Sequence, residues 1–405
     1  MKEKIHYGWF ILILGMLTVF NSQGLARFGY TMILPSMQEG LALSNAQAGA
    51  LATGNFCGYL ALALVAGVLA SRFSPRRVIV ISLFIVGMTM VLTGTARGMI
   101  SALIWRTLTG MGSGGCFVPT MGILAAWFAK KRRGMATGLA VGGSSIGLIL
   151  TGPLVPYLLR VTGENGWRWA WAIIGGCALI FCGIVGLFLR DKPQDLCLMP
   201  LGYKGDNDYS AENKSSGWVE ICKSKTVWHL AFIYSTYGFS YIIYVTFFAK
   251  YLQSEVGMTE EASGRLWLIV GWLSLGCGFL WGWVSDVLGR KQAIFIVTLL
   301  QGCAYMIFAL WKSPGGALAS SMIFGITAWS IPAIMAAACG DHLGSRLVPA
   351  ALGFITLFFG IAQALGPWAA GMMADAYSSF SPALVAAAII AWLGAADSLF
   401  LSAPK

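Results

Sequence analysis

Twelve apolar stretches separated by short loops leave this chain very few folds. They run approximately over 8–35, 45–70, 78–96, 99–128, 135–159, 168–189, 227–252, 264–285, 292–311, 317–340, 350–374 and 383–402. As a helix, each is long enough to cross a hydrocarbon core of about 30 Å. An isolated strand leaves its backbone unpaired in lipid, so all twelve are expected to be helices. Only 11% of the residues are charged, against about 25% in an ordinary soluble domain. The expected fold class is an all-α membrane protein with twelve transmembrane helices. The one long polar segment, Arg190 to Lys225, divides the spans six and six. It separates an N-terminal bundle over 1–189, a central loop over 190–226 and a C-terminal bundle over 227–405.

The net charge of +11 would raise the question of nucleic acid in a soluble protein. Here the bases lie in the loops, nineteen on one side of the expected membrane and six on the other. By the positive-inside rule, both termini and the central loop are cytoplasmic and the chain sits in the cell membrane. The lipid bilayer accounts for the basic balance, and no nucleic-acid partner is expected. The first apolar run is too long for a signal peptide and lacks a small-residue cleavage site, so it is read as a retained span. The nine cysteines form no CxxC and no His-paired spacing, so no metal and no cofactor are expected. Two arginines, Arg27 and Arg106, remain inside spans.

The two halves repeat one another. Gly67 to Arg77 is a worn copy of Gly282 to Lys291, displaced by 215 residues. Gly152-Pro153 recurs as Gly366-Pro367, Arg132 as Arg346, and Pro119 as Pro332, at offsets of 213 or 214. Parallel repeats of this kind are a transporter architecture, with two pseudo-symmetric bundles and the site near the midplane.

Gly282-Trp-Val-Ser-Asp-Val-Leu-Gly-Arg-Lys291 resembles the signature loop of the major facilitator superfamily, G-x-x-x-D-x-x-G-R-K, between spans 8 and 9. The worn copy lies between spans 2 and 3. Arg106-Thr-Leu-Thr-Gly-Met-Gly-Ser-Gly-Gly115 is similar to the family's span 4 element R-x-x-x-G-x-G-x-G. Tyr7-Gly8-Trp9 looks like the start of the monocarboxylate and oxalate/formate exchanger branch. That branch commonly carries an arginine in the middle of span 8, and here Gly271 to Gly278 has no base.

The resemblance implies gating by these loops. Gly67, Ser71 and Arg72 belong to the first copy, and Gly282, Asp286, Gly289, Arg290 and Lys291 to the second. A carboxylate at Asp286 is favoured near a helix N-terminus by about 0.3–1 kcal/mol, and the family fold offers the start of span 5 near Gly134. Ser71 and Ser74 replace the acid and the glycine in the first copy, so the latch is expected to depend more on the second.

Arg27 is the sharpest substrate candidate. Gln23, Arg27 and Tyr30 are spaced i, i+4, i+7 and share one face of an α-helix. An intramembrane arginine costs about 2.5–3.5 kcal/mol on insertion scales and usually faces a cavity or a partner. A guanidinium there can hold a carboxylate through paired hydrogen bonds. Family spans 1, 4, 7 and 10 line the central cavity, which adds Arg106, read equally as anion contact or helix packing. Span 7 presents Tyr234, Tyr237, Tyr241 and Tyr244 on one face about 15 Å long, and Arg27 maps by the repeat onto Tyr241. Asn55, Thr327 and Gln363 could add polar contacts. No acid lies deep in a span, which favours an anionic cargo over a cationic one.

The expected function is a monomeric secondary transporter, not an enzyme, that carries a small organic anion by alternating access through symport or exchange. The alternative is proton-coupled efflux of drugs or other amphipathic compounds, favoured by the aromatic span 7 and Gly152-Pro153. A receptor on a transporter scaffold would usually need an added signalling domain.

Overall fold

The computed structural model of the protein describes residues 6–203 and 218–401. Contacts divide the chain into two compact units. The first runs to Ala42 and resumes at Gly54, and the second takes Leu43–Thr53 and the chain from Ala211 onward.

The first unit opens with one continuous helical rod. It consists of α1 (Tyr7–Val19), a π-helical segment (Phe20–Phe28) and α2 (Gly29–Gly40). Then follow α3 (Asn45–Phe73), α4 (Pro75–Gly94), α5 (Met99–Trp127), α6 (Lys130–Thr162) and α7 (Gly166–Phe188). The first turns of α3 belong to the second unit, where Asp375 accepts from the backbone of Asn45 and Ala46 at 2.9 and 2.8 Å. A carboxylate at that helix N-terminus satisfies amides with no partner of their own.

The second unit holds the short α8 (Trp218–Lys223), then α9 (Lys225–Ser254), α10 (Glu260–Leu275), α11 (Cys277–Leu288) and α12 (Arg290–Leu310). It ends with α13 (Pro314–Thr327), α14 (Ser330–Tyr377) and α15 (Ser381–Ser398). Ten stretches of the described residues are long and apolar enough to cross a membrane. One of them, Lys131–Phe188, contains both α6 and α7. Helix α5 is as long as the others, but glycine, serine and threonine dilute its hydropathy. Counted as helices, these are the twelve expected crossings. The tenth and eleventh differ from expectation. Instead of a loop between 340 and 350, α14 winds through 48 residues, and the break falls earlier, at Ala328–Trp329.

Glycine sets the packing of the first unit. A Cβ on Gly110 of α5 would lie 1.8 Å from the Asn55 carbonyl oxygen of α3, and one on Gly114 would lie 2.3 Å from that of Tyr59. On the other side of α5, Gly112 and Gly115 press on Ser82 of α4. The run Gly110-Met-Gly-Ser-Gly-Gly115 therefore lets α5 lie backbone to backbone between two neighbours, as small residues do in membrane helices.

Glu255, just past α9, ties three helix ends of the second unit together. Its carboxylate accepts from Lys312 at 2.7 Å, from Ser379 and Ser381, and from the Phe380 backbone before α15. Burial pushes this carboxyl up, but the Lys312, Phe380 and Ser379 bonds outweigh it and hold its pKa below the usual glutamate value. A depressed carboxyl stabilises the fold above the unfolded pKa of about 4.3, and that stability is lost as pH falls through the folded pKa. Glu255→Gln is expected to cost about 1.5–3 kcal/mol at neutral pH. The gap to wild type should close in acid, as thermal unfolding in detergent at several pH values would report.

Candidate functional site

The two charged turns share one backbone conformation. Gly289 sits at φ +94, ψ 153, and Ser74 at φ +97, ψ 129. Glycine adopts this region readily, whereas serine bears strain of about 1–3 kcal/mol. Ser74 is held there by Asp191, which follows α7. The Ser74 hydroxyl donates to Asp191 at 2.7 Å, and the Arg76 amide donates to the same carboxylate at 2.7 Å. The first copy, without an acid at Ser71, thus has one beside it from 117 residues away. Ser71 itself donates to the Val68 carbonyl, and Arg72 lies 5.7 Å from the Phe73 ring.

In the second copy, Arg290 is the hub. It donates to Asp286 at 2.5 Å, Ser285 at 2.6 Å and Asp341 at 2.8 Å, which ties α11 and α12 to α14. Lys291 is half-exposed. A Cβ on Gly67 or Gly282 would meet nothing within 4 Å.

Arg27 lies in the π-helical segment of the first rod. Asn21 donates to the Leu17 carbonyl and Thr18 to that of Leu14, and side chains that bond the backbone in this way loosen an α-helical ladder. Gly24 brings the segment against Gly147 of α6, where an added Cβ would lie 2.8 Å from the Gly147 Cα. From α5, Ser113 donates to the Ser22 carbonyl at 2.7 Å and Arg106 to the Ala26 carbonyl at 2.8 Å. Two side chains two turns apart on one face of α5 thus hold the segment in its wider winding, in which bonds run i to i+5.

That winding spreads residues that an α-helix would align. Arg27 is half-buried, with its guanidinium carbon 4.5 Å from the ring centres of both Phe56 and Tyr59 on α3. Tyr30 turns elsewhere and packs against Trp171 of α7. Arg106 is buried, with its guanidinium carbon 4.7 Å from Tyr30 and 4.9 Å from Trp171. Gln23 and Asn55 are buried as well. The Asn55 amide nitrogen donates to the Arg106 carbonyl at 2.8 Å. The Gln23 Nε2 and Asn55 Oδ1 have no hydrogen-bond partner among the described residues.

The tyrosine stripe of the second unit forms a ring ladder on α9. Tyr234 stacks on Phe359 of α14 at 4.2 Å, and Tyr237 on Tyr241 at 4.7 Å. Gln363 donates to the Tyr241 hydroxyl. Tyr244 and Ser320 of α13 share a hydrogen bond at 3.0 Å. The Thr327 hydroxyl bonds back to Ile323 in its own helix.

Tyr237 has a role that its sequence position alone does not reveal. Pro332 has no N–H, so the carbonyl four residues earlier, that of Ala328, loses its helical partner. Tyr237 donates to that carbonyl at 2.7 Å, and Gln301 of α12 donates to the adjacent Thr327 carbonyl at 3.0 Å. These bonds satisfy the break between α13 and α14. Tyr237→Phe is expected to cost about 1–3 kcal/mol through the orphaned carbonyl. In a double-mutant cycle, Pro332→Ala should recover part of this loss by restoring the N–H.

Membrane-length helices, a charged turn repeated in each unit and an arginine within the first span are the features of a membrane transporter. A family profile described as Major Facilitator Superfamily matches residues 16–346, and again 230–405, and the chain belongs to that superfamily. A "Probable sulfoacetate transporter" of Cupriavidus necator is 24% identical, covering 99% of this chain and 95% of that one. A hexuronate transporter of Bacillus subtilis is also 24% identical, covering 95% and 92%. Monocarboxylate transporter 3 of Rattus norvegicus is 26% identical, covering 78% and 64%. The fold matches a solved bacterial homolog of the human lysosomal transporter Spinster with TM-score 0.81, at 17% identity, covering 98% and 97%.

Proposed function

We propose that this transporter carries a small organic anion by alternating access, with Arg27 holding the anionic group. The observation that carries this reading is the placement of Arg27. It is half-buried inside a span and set by a π-helical segment against Phe56 and Tyr59. Rings on a guanidinium take its face, and oxyanions bind along its in-plane N–H edge. The cargoes in the relatives' names, sulfoacetate, hexuronate and monocarboxylate, are all anions, which supports the same class. The basic-residue count supports a cytoplasmic placement of both termini. The turns at Ser74–Asp191 and Asp286–Arg290–Asp341 tie helices together within their own units, which supports each unit moving as one body.

The test is counterflow in proteoliposomes. Carboxylate exchange is expected to fall about 100-fold in Arg27→Gln, within the 2–5 kcal/mol typical of losing one member of a buried charge pair. Export of a cationic dye with no dependence on Arg27 would sink this reading.

A further inference from the structure

We infer that Tyr7-Gly8-Trp9 is the seat of a strap, residues 193–203, that stays docked on the first unit while the transporter works. The opening of the central loop is then a working part of that unit, and the link between the units begins only after Tyr203. This does not depend on which cargo is carried.

Three helix ends meet at the seat. Helix α5 ends at Trp127, α7 ends at Phe188 and α1 begins at Tyr7. The last carbonyls and first amides of a helix have no partner within it, and here the strap and the seat supply them. The Leu201 amide donates to the Trp127 carbonyl at 2.8 Å, and the Tyr7 hydroxyl donates to the Phe188 carbonyl at 2.7 Å. The Gly8 amide donates to His6 Nδ1 at 3.0 Å. With Nδ1 accepting, the neutral ring carries its proton on Nε2, which donates to the Met199 carbonyl of the strap at 3.1 Å. The Ala129 amide donates to the Leu201 carbonyl at 3.1 Å, so Leu201 pairs with Phe128 as one rung of parallel bridge.

The side chains close the same joint. Leu201 is 8% exposed and shares an apolar core with Ile11, Leu124 and Trp127, and Leu198 packs against that core. Trp9 meets Phe128 edge-on at 6.2 Å. Gly8 is what admits the strap. A Cβ there would lie 3.4 Å from the Leu201 Cβ and 3.0 Å from His6 Nδ1, so a longer side chain would push Leu201 out of the core. Every one of these partners belongs to the first unit. A motion of one unit against the other pulls on none of the bonds, whereas peeling the strap would orphan the Trp127 carbonyl and expose two leucines.

Two measurements test this. Amide exchange on the unsubstituted protein needs no cargo. The Leu201 and Ala129 amides are expected to exchange at least about 100-fold slower than an unstructured peptide, because exchange through local opening reports the fraction of time spent open. Exchange at the peptide rate would overturn the dock. The second measurement uses the pair Gly8→Cys/Leu201→Cys, whose Cβ spacing of 3.4 Å lies close to the disulfide mean of about 3.8 Å. Peptide mapping separates a bond between 8 and 201 from one to the exposed Cys197. The oxidised pair in proteoliposomes is expected to match the reduced pair in D-glucuronate counterflow. Counterflow that stops on oxidation and returns on reduction would show that the strap must peel, and would overturn permanent docking. Failure of the bond to form in folded protein would overturn the contact. If wild type carries no glucuronate, that counts against the cargo reading alone, and the Leu201 amide, slow or fast, decides the strap.

Discussion

Gly110→Ala is expected to prevent the first unit from packing. The added Cβ would lie 1.8 Å from the Asn55 carbonyl oxygen and 2.7 Å from its carbon. Both atoms are backbone, so no rotamer change relieves the overlap, and α3 must move away from α5. Overpacking of a close contact costs about 1–3 kcal/mol or more, and this overlap lies at the upper end. Total stabilities are only about 5–15 kcal/mol. The displacement would also pull Asn55 from the Arg106 carbonyl that it bonds at 2.8 Å. Gly122→Ala on the same helix is the control. It is exposed, a Cβ there meets nothing within 4 Å, and no loss is expected. Yield of monodisperse protein in detergent and its unfolding temperature distinguish the two variants. If Gly110→Ala purifies and melts like Gly122→Ala, α3 and α5 are not in backbone contact.

Lipid makes the gross fold easy to read. A span must be apolar over its whole length, so the break between Phe73 and Pro75 or between Leu288 and Arg290 shows as a cluster of charge around a Ser-Pro or a glycine. The positions at which a helix departs from regular winding are less visible. Pro332 and Tyr237 were each conspicuous, yet their link passes through the Ala328 carbonyl, which neither residue's type reveals. The π-helical segment is set by Ser113 and Arg106, about 90 and 80 residues away, so a face drawn at α-helical spacing kept Tyr30 beside Arg27. Asp191 lies in the long polar segment after the sixth span, and only the folded unit brings it to Ser74. The continuous α14 is hidden for a related reason. Residues 341–349 interrupt the apolar pattern, but polarity does not forbid helix.

Arg106→Ala is expected to destabilise the first unit by about 3–5 kcal/mol, the range for removing a large buried side chain. Three separate effects point the same way. The Ala26 carbonyl, now bonded at 2.8 Å, would be left at the junction of π- and α-winding, where the ladder changes register. The contacts with Tyr30 and Trp171 would be lost, and a desolvated cation over an aromatic ring contributes about 2 kcal/mol. The vacated space would lie under Trp171, which is fully buried. Arg106→Lys keeps the charge but not the planar fork, so it should recover only part of the loss. Ser113→Ala removes the companion bond to Ser22 and should cost about 1 kcal/mol. The discriminating measurement pairs the unfolding temperature with anion affinity in the surviving protein. A strut that shapes the segment under Arg27 lowers stability first, and affinity follows in proportion. If Arg106→Ala melts like wild type and loses anion affinity alone, Arg106 touches the cargo.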